Sequence, residues 1–326
     1  MEFSQILVFL ALMTACLTLL VWIFCLLGYF LWPSLLVEIF QRWNMYRAGF
    51  TPKTIDVGDF QFCYMERGLP SDTNQTIVLI HGFAASKDAW CYMSHALPKT
   101  EHIIALDLPG HGKSTRKHDG DHTIPTQVAK LHQFVHAIGL HQRKFHLAGI
   151  SMGGHIVGVY ASRHPSNLSS VIMMCPAGID APHLSEFLED VLHKGERNYL
   201  IPETTEDFLT MWKKVVHRYI PLPYFAARLF TEVRKPFNEF YKKVLLDITH
   251  PDHRFLLQNV LEDITVPALV LWGENDKIIH VSSVNVMKEK LKNSQVHILD
   301  RCGHALSLER PWKTAKLMME FISSCN

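Results

Sequence analysis

The sequence shows no internal repeat, no low-complexity tract and no C-x-x-C pair. Its cysteines are odd in number: Cys16, Cys25, Cys63, Cys91, Cys175, Cys302 and Cys325. This usage argues against a disulfide framework and favours reduced thiols that face the cytosol.

Charge of one sign is not in excess, because 32 Lys and Arg residues balance 31 Asp and Glu residues for a net charge of +1. Nothing in this balance indicates a nucleic-acid partner. The chain has 326 residues, and 48% of them are hydrophobic. It can therefore bury one large core, or a core with a smaller cap.

Charged residues are missing altogether between Ile6 and Trp32, a run of 27 residues. A helix of that length spans about 40 Å, more than the roughly 30 Å hydrocarbon core of a bilayer. Sixteen of residues 6–31 are Leu, Ile, Val or Phe, which favours insertion by roughly 5 to 10 kcal/mol. A buried core helix fits this composition poorly, and a cleaved signal peptide would need a basic segment before the run. We predict a retained membrane anchor over residues 1–33.

The basic residues near this run predict its orientation. No Lys or Arg precedes it, whereas Arg42, Arg47 and Lys53 follow it. The positive-inside rule therefore places the rest of the chain in the cytosol, as part of a single-pass integral membrane protein. The sequons at Asn74 and Asn167 are then unused, and glycosylation at either one would invert this topology.

Residues 34–50 form a juxtamembrane segment in which apolar and polar residues alternate. Its apolar residues are Leu35, Leu36, Ile39, Phe40, Trp43 and Tyr46. Two interpretations are open: an amphipathic helix that lies in the membrane interface, or a linker helix that packs on the following domain.

Beyond residue 50, strands and helices alternate, which is typical of a parallel sheet with helices on both faces. Candidate strands cover 60–66, 77–80, 102–106, 145–149, 170–174, 267–272 and 295–299. Candidate helices cover 124–138, 152–163, 282–291 and 309–323. Such a chain crosses over right-handedly and places its ligand at the carboxyl ends of the strands. We assign residues 51–175 and 265–326 to this core.

Between residues 176 and 264 the alternation stops, and apolar residues recur at helical spacing. The sets are Leu184, Phe187, Leu188 and Val191; Phe208, Trp212, Val215 and Val216; and Phe237, Phe240, Val244 and Leu245. Thr204, three residues before Asp207, resembles a capping signal. We interpret the segment as a helical cap inserted after the strand at 170–174. This strand is the fifth in the list above, and we number it as the sixth strand of the fold. Its position over the sheet's carboxyl edge predicts a lid, in which most aromatic residues would build the cap's own small core.

Residues 149–153 read Gly-Ile-Ser-Met-Gly, which matches G-x-S-x-G. A strand before this pattern and a helix after it are the context in which it holds a nucleophilic serine on a sharp turn. Ser151 would sit in a strained backbone conformation, and bulk at Gly149 or Gly153 would collide with the neighbouring strand and helix. Ser151 is therefore the candidate nucleophile.

A serine hydroxyl is a weak nucleophile unless a base takes its proton and a carboxylate orients that base. In this strand–turn–helix arrangement the chain order is serine, acid, histidine. Asp276 follows the penultimate candidate strand and is the predicted acid, with Glu274 as the alternative. His304 follows the last strand, and Gly303 allows a tight turn that would bring it over Ser151. We predict that these three residues form a catalytic triad.

A tetrahedral intermediate needs two backbone N–H groups directed at its oxygen. Met152 follows the nucleophile at a helix N-terminus, and Phe83 lies in the loop after the second candidate strand, so we predict their N–H groups for this oxyanion hole. Asp107 lies in a turn and is expected to be structural. His132 and His136 are four residues apart on a helix, but no acidic third ligand stands nearby. We expect that neither a metal nor a cofactor is required.

Four elements in this order indicate the α/β-hydrolase fold. Further segments carry a closer resemblance: Phe30–Ser34, Gln61–Tyr64, His132–Val135, Cys175–Gly178, Cys302–His304, Glu309–Pro311 and Lys313–Lys316. From the anchor to near the C-terminus, and least in the cap, the sequence resembles the membrane-anchored monoacylglycerol lipases of the α/β-hydrolase domain-containing type, sixth in that naming series. Ile150, where that family usually has Thr, and Lys113, where an acidic residue is expected, depart from its pattern.

The resemblance implies a serine hydrolase that cleaves monoacylglycerols, 2-arachidonoylglycerol among them, and some lysophospholipids. It implies action at the cytosolic side of intracellular membranes, endosomal and lysosomal ones included, and of the plasma membrane. Each buried CH₂ holds a lipid in a bilayer by about 0.8 kcal/mol, so a single-chain lipid leaves far more readily than a double-chain one. An anchored, apolar-capped site suits such a substrate. Acyl-chain and headgroup preference, and protein partners, are left open.

Two other interpretations are open. A hydrolase for carbon–carbon bonds of dienone acids uses similar motifs, but it would need cationic groups for a carboxylate and no membrane anchor. A non-enzymatic membrane adaptor would bind other membrane proteins through its cap, and the intact triad pattern argues against this as the sole role.

Overall fold

The computed structural model describes residues 3–71, 75–190, 198–218 and 220–325. The sequon residue Asn74 and the apolar cap residue Val191, both singled out from the sequence, lie outside these ranges. All statements on contacts below refer to the described residues.

One mixed sheet organises the described residues, with strand order β1-β2-β4-β3-β5-β6-β7-β8. The strands are β1 (Thr51–Val57), β2 (Phe60–Arg67), β3 (Ile77–Ile80), β4 (Ile103–Leu106), β5 (Phe145–Ile150), β6 (Leu168–Met174), β7 (Ala268–Gly273) and β8 (Ser294–Leu299). β2 pairs antiparallel with β1 and β4, and the other neighbouring pairs are parallel. The mostly parallel sheet predicted from the sequence is confirmed. Its parallel strands place the ends of β3, β5, β6, β7 and β8 at one edge.

Strand β1 is the element that the sequence analysis missed. Most of its side chains are exposed, and its apolar residues Ile55 and Val57 are too few to indicate a strand in the sequence. It contains Pro52, which an edge strand tolerates because one side of its backbone is unpaired. With β1 included, the strand before the helical insertion is the sixth of the fold.

Thirteen α-helices are present in the described ranges. They are α1 (Phe3–Leu31), α2 (Pro33–Arg47), α3 (Cys91–Ser94), α4 (Ile124–Ala137), α5 (Met152–Arg163), α6 (Glu186–Leu188), α7 (Thr205–Val215), α8 (Tyr224–Arg234), α9 (Asn238–Ile248), α10 (Leu256–Val260), α11 (Ser283–Lys290), α12 (Leu306–Glu309) and α13 (Pro311–Ser324). Helices α4 and α10 pack on α5, whereas α12 and α13 pack on α3. These two groups cover the sheet.

The predicted helix over 309–323 is two helices in the structure. Helix α12 ends at Glu309, and Arg310 adopts a non-helical backbone with φ −133° and ψ +48° before α13 begins at Pro311. Proline lacks an N–H and disfavours a helical conformation of the residue before it. The break was therefore encoded locally, at Pro311.

Helix α1 is 29 residues long, and an 18-residue window within it has a mean hydropathy of 2.7. None of that window is buried against the protein, and a helix of this length extends about 44 Å. Among the described residues it is the one helix long and apolar enough to cross a membrane. This helix could anchor the protein in a bilayer, as the sequence predicted.

Helices α6 to α10 lie in the segment interpreted as a cap, of which α10 packs on α5 of the core. The capping signal at its second apolar set is confirmed: Asp207 N–H donates to Thr204 Oγ1 at 3.1 Å, and Thr204 N–H donates to Asp207 Oδ2 at 3.0 Å. Phe208 and Ala227 form a small apolar cluster together with Ile278, which follows β7. This cluster is a small core within the cap, and it also touches a loop at the carboxyl edge of the sheet. Phe240 and Tyr241 of α9 belong to a separate cluster, which packs on Phe83.

Candidate active site

Ser151 lies on the sharp turn between β5 and α5. Its backbone has φ +59° and ψ −121°, a region that residues other than glycine rarely occupy. Ser151 N–H donates to Met174 O at 2.9 Å, and Ser151 O accepts the N–H groups of His155 and Ala177 at 3.0 Å each. These three bonds hold the strained turn in place at the carboxyl edge of the sheet.

The two glycines of the turn are required by space, as the sequence predicted. A Cβ on Gly149 would lie 2.3 Å from Gly153 O. A Cβ on Gly153 would lie 2.4 Å from both Ile80 O and His81 O. The obstructing atoms are all backbone atoms, so they cannot move aside by rotating a side chain.

Gly153→Ala is expected to destabilise the protein by roughly 1 to 3 kcal/mol, because the added methyl group overpacks the backbone of β3. Thermal unfolding of the detergent-solubilised full chain measures this as a lower Tm. Gly139→Ala is the matched control, since no atom lies within 4 Å of its Cβ and only its left-handed φ of +73° adds a cost. Equal melting temperatures for the two variants would contradict the steric role of Gly153.

Asp276 and His304 are in direct contact. His304 Nδ1 donates to Asp276 Oδ2 at 2.7 Å, and both side chains are almost fully buried. The other carboxylate oxygen, Oδ1, accepts the N–H groups of Ile278 and Ile279 at 2.8 and 3.0 Å. The carboxylate is therefore fixed in place, and it orients the imidazole with its proton on Nδ1. Glu274, the alternative acid, instead accepts the N–H of Arg301 at 3.4 Å.

Ser151 and His304 are not joined by a hydrogen bond within the part of the chain that the structure describes. Catalytic hydrogen bonds are often long in unliganded enzymes and tighten only when substrate is bound. The structure thus brings the predicted acid and base together and places the predicted nucleophile on the β5–α5 turn, at the carboxyl edge of the same sheet. The assignment of all three to one triad stays a prediction.

The loop after β3 passes beside the nucleophile. A Cβ on Gly82 would lie 3.2 Å from Ser151 Cβ and 3.7 Å from Ser151 Oγ. The next residue is Phe83, and Met152 is the first residue of α5. Among the described residues, neither Phe83 N–H nor Met152 N–H donates to another group. Both N–H groups are available for the oxyanion role, which stays a prediction.

Two buried residues hold the loops after β3 and β4. His81 Nε2 accepts the N–H of Leu108 at 3.0 Å, and burial lowers the pKa of His81, which favours its neutral form. Asp107 accepts the N–H of Lys87 at 2.7 Å, the N–H of Lys113 at 2.9 Å and a proton of the Lys87 ammonium at 2.8 Å. These contacts agree with the structural role expected for Asp107.

Glu309 connects the histidine loop to the cap and was missed in the sequence. Its Oε1 accepts Gly303 N–H at 2.9 Å, and its Oε2 accepts the N–H groups of His217 and Arg218 at 2.8 Å each. Burial raises the pKa of Glu309, although these three bonds act in the opposite direction. No spacing rule indicates this role, and its only signal was that Glu309 lies in a family-like segment.

Cys175 lies beside the acid and was also missed. It follows β6 with φ +40°, and its sulfur, an oxygen of Asp276 and a nitrogen of His304 all lie within 4.8 Å of one another. Burial raises the pKa of the Cys175 thiol, and the negative charge of the Asp276 carboxylate raises it further. Within the described ranges this is the one such group of three potential metal ligands, and His132 and His136 do not belong to it.

A cavity of about 750 Å³ lies between α7 and α9 in the cap. Asp207 and Lys242 line it, together with apolar residues such as Leu245. None of the five predicted site residues lines it, so this cavity is distinct from the candidate active site. Phe83 instead contacts the cap through Tyr241 of α9, with ring centroids 5.9 Å apart.

Comparison with known proteins gives independent evidence on the family of the chain. Residues 75–311 match the family model described as the alpha/beta hydrolase fold. Monoacylglycerol lipase abhd6-A of Xenopus laevis is 38% identical over 91% of this chain and 89% of its own length. Monoacylglycerol lipase ABHD6 of Homo sapiens is 36% identical over 91% of this chain and 89% of its own. The crystal structure of a membrane phospholipase A, a bacterial virulence factor, has a TM-score of 0.84 at 34% identity, covering 96% of this chain and 98% of that one.

Proposed function

The chain belongs to the α/β-hydrolase family and, within it, to the group of the monoacylglycerol lipases ABHD6, and from that premise we propose that it hydrolyses the ester bond of monoacylglycerols. The observation that supports this most directly is the buried contact between Asp276 and His304, with Ser151 on a strained turn at the carboxyl edge of the same sheet. That arrangement suits acyl transfer through a serine nucleophile.

The proposed reaction has two steps. His304 Nε2 takes the proton of Ser151 Oγ as this oxygen attacks the ester carbonyl carbon, and the same histidine then protonates the departing glycerol oxygen. Water, deprotonated by His304, attacks the acyl-enzyme, and the fatty acid leaves as the proton returns to Ser151. The N–H groups of Phe83 and Met152 would bind the oxyanion of both tetrahedral intermediates. The bonds formed and broken in both proposed steps involve only atoms of the protein, the ester and one water molecule.

The finer substrate range is part of the same proposal. We propose monoacylglycerols of the 2-arachidonoylglycerol class and, in addition, lysophospholipids. The likeness to a membrane phospholipase A supports an ester of a phospholipid as a substrate. Both classes have one acyl chain, which leaves the bilayer for an enclosed site at a lower cost than two chains.

Helix α1 supports action at a membrane, and the basic residues Arg42, Arg47 and Lys53 after it support a cytosolic location for the catalytic domain. A glycan on Asn167 would contradict this topology, since glycosylation requires the lumenal side. Endoglycosidase treatment of the protein expressed in animal cells measures this, and an unchanged electrophoretic mobility is the expected result.

A hydrolysis panel with the detergent-solubilised full chain tests the substrate range. Single-chain monoacylglycerols and lysophospholipids should give the highest kcat/KM, diacylglycerols a lower one, and a dienone acid no product. The same panel measured with Ser151→Ala shows how much of the hydrolysis depends on Ser151 and how much comes from contaminating activity. Preferred cleavage of the dienone acid would instead indicate carbon–carbon bond hydrolysis, and a panel without any product would favour a non-enzymatic adaptor.

A further inference from the structure

Helix α2 has two faces of different character. Val37, Asn44 and Met45 are buried against the protein. The opposite side carries exposed apolar side chains, namely Leu35, Ile39, Phe40, Trp43 and Tyr46. Residues 35, 39, 43 and 46 follow helical spacing, so they form one stripe. The two interpretations of this segment therefore describe two faces of the same helix.

This stripe is continuous with α1. Trp32 N–H donates to Gly28 O at 3.0 Å, and Pro33 begins α2 directly after it. Gly28, the one buried residue of α1, packs against the side chain of Leu36, which a Cβ on Gly28 would approach to 3.0 Å. The junction is packed and has no linker. The direction of α2 is thus set relative to the helix that could span the bilayer.

The cap is fastened to the same junction through α8, which packs on α2. Arg228 Nη1 donates to Tyr29 O at 3.1 Å, and its guanidinium carbon lies 4.4 Å from the Tyr29 ring centroid and 5.2 Å from that of Phe30. At the start of α8, Tyr224 and Phe225 are more than half exposed. One arginine therefore links a helix of the cap to the last turn of α1.

We propose that these exposed apolar side chains form one lipid-facing surface, which rests in the interfacial layer of the bilayer that α1 spans. The lipid-facing surface comprises Leu35, Ile39, Phe40, Trp43 and Tyr46 of α2 with Tyr224 and Phe225 of α8. Its aromatic residues are of the kind enriched at membrane interfaces.

The occupant is the lipid layer because the surface continues from an apolar helix that only lipid can cover along its length. Arg47, whose guanidinium carbon lies 4.7 Å from the Trp43 ring centroid, adds a positive charge next to anionic headgroups. The consequence is that the cap, and the β3 loop in contact with it, are held at the membrane surface, where a single-chain lipid leaves the bilayer. The proposal rests on the membrane span of α1 but not on the proposed hydrolysis.

Fluorine NMR of the full chain, labelled with 5-fluorotryptophan in lipid nanodiscs, tests this surface. Signals of Trp43 and Trp312 are assigned by Trp43→Phe and Trp312→Phe. Trp312 is the matched control, because it is 69% exposed but lies on α13, which packs on α3 and β7. Buried Trp90 and Trp272 serve as internal references.

Doxyl-labelled lipid should broaden the Trp43 signal beyond detection and leave Trp312 sharp, whereas an aqueous gadolinium chelate should do the reverse. Similar responses of Trp43 and Trp312 to both reagents would overturn the proposal. Protection of Trp43 from both reagents would also overturn it, since a second copy of the chain would then cover the surface. Activity is not measured, so a failed hydrolysis proposal leaves this result intact.

The link through α8 is tested with Phe225→Trp as an added reporter. Its signal should be broadened by doxyl lipid, and Arg228→Ala should remove that broadening while Trp43 retains it. Arg228→Lys is the matched control for charge, because it keeps a cation but loses the planar group that stacks on Tyr29. A Phe225→Trp signal that does not respond to Arg228→Ala would refute the role of Arg228.

Discussion

Ser151→Ala is expected to lower kcat for monoacylglycerol hydrolysis by a factor on the order of 10⁶, to near the background rate. The change removes the only oxygen on the β5–α5 turn that can form the acyl-enzyme. Alanine can adopt the same turn, because the three backbone bonds of residue 151 do not involve the side chain. Labelling by a fluorophosphonate probe should be lost in parallel.

Ser162→Ala is the matched control for this result. Ser162 lies on α5, the helix that follows Ser151, and among the described residues its hydroxyl donates to Val159 O at 2.9 Å. The control protein should retain labelling and turnover. Probe labelling of Ser151→Ala would refute the assignment of the nucleophile.

Asp276→Asn is expected to lower kcat by roughly 10⁴. The asparagine oxygen can still accept the N–H groups of Ile278 and Ile279, so the loop retains its conformation. Its NH₂ group would face His304 Nδ1, which must then accept and can no longer carry the proton. The proton moves to Nε2, where the base needs a lone pair. Turnover of a soluble short-chain ester, with Tm as a check on folding, measures the effect.

Glu274→Gln discriminates between the two candidate acids. Among the described residues, Glu274 accepts a backbone N–H outside the acid–base pair and no other hydrogen bond, so the amide should leave turnover close to that of the unmodified chain. A larger loss in Glu274→Gln than in Asp276→Asn would reverse the assignment. Equal and small losses would show that neither carboxylate orients His304.

Much of the candidate site could be predicted from chain order, because β5, β7 and β8 are parallel strands. Parallel strands end at the same edge, so Ser151, Asp276 and His304, which follow these strands, were expected near one another. The contact between Asp276 and His304 agrees with that expectation. The strained turn and the need for glycine at 149 and 153 could be predicted too, because both depend on atoms close in sequence.

Other features could not be predicted, because they depend on contacts between distant segments. Glu309 binds the backbone of His217, more than 90 residues away, and no local pattern indicates such a pair. Strand β1 is held by pairing with β2 and most of its side chains are exposed, so its residues carry only a weak apolar pattern. The packing of Cys175 against Asp276 is likewise a contact between loops of two different strands.

Local chemistry alone determined the apolar N-terminal helix, the alternation of strands and helices, the strained turn of Ser151 and the chain order of the candidate catalytic residues. These features depend on spacing along the chain, which sequence displays directly. Only the tertiary structure decided which carboxylate meets His304, and that α2 packs one face on the protein and exposes the other. The contact between Arg228 and the last turn of α1 was likewise visible only in the tertiary structure. Such contacts depend on how whole elements pack, where burial and backbone geometry outweigh local preference.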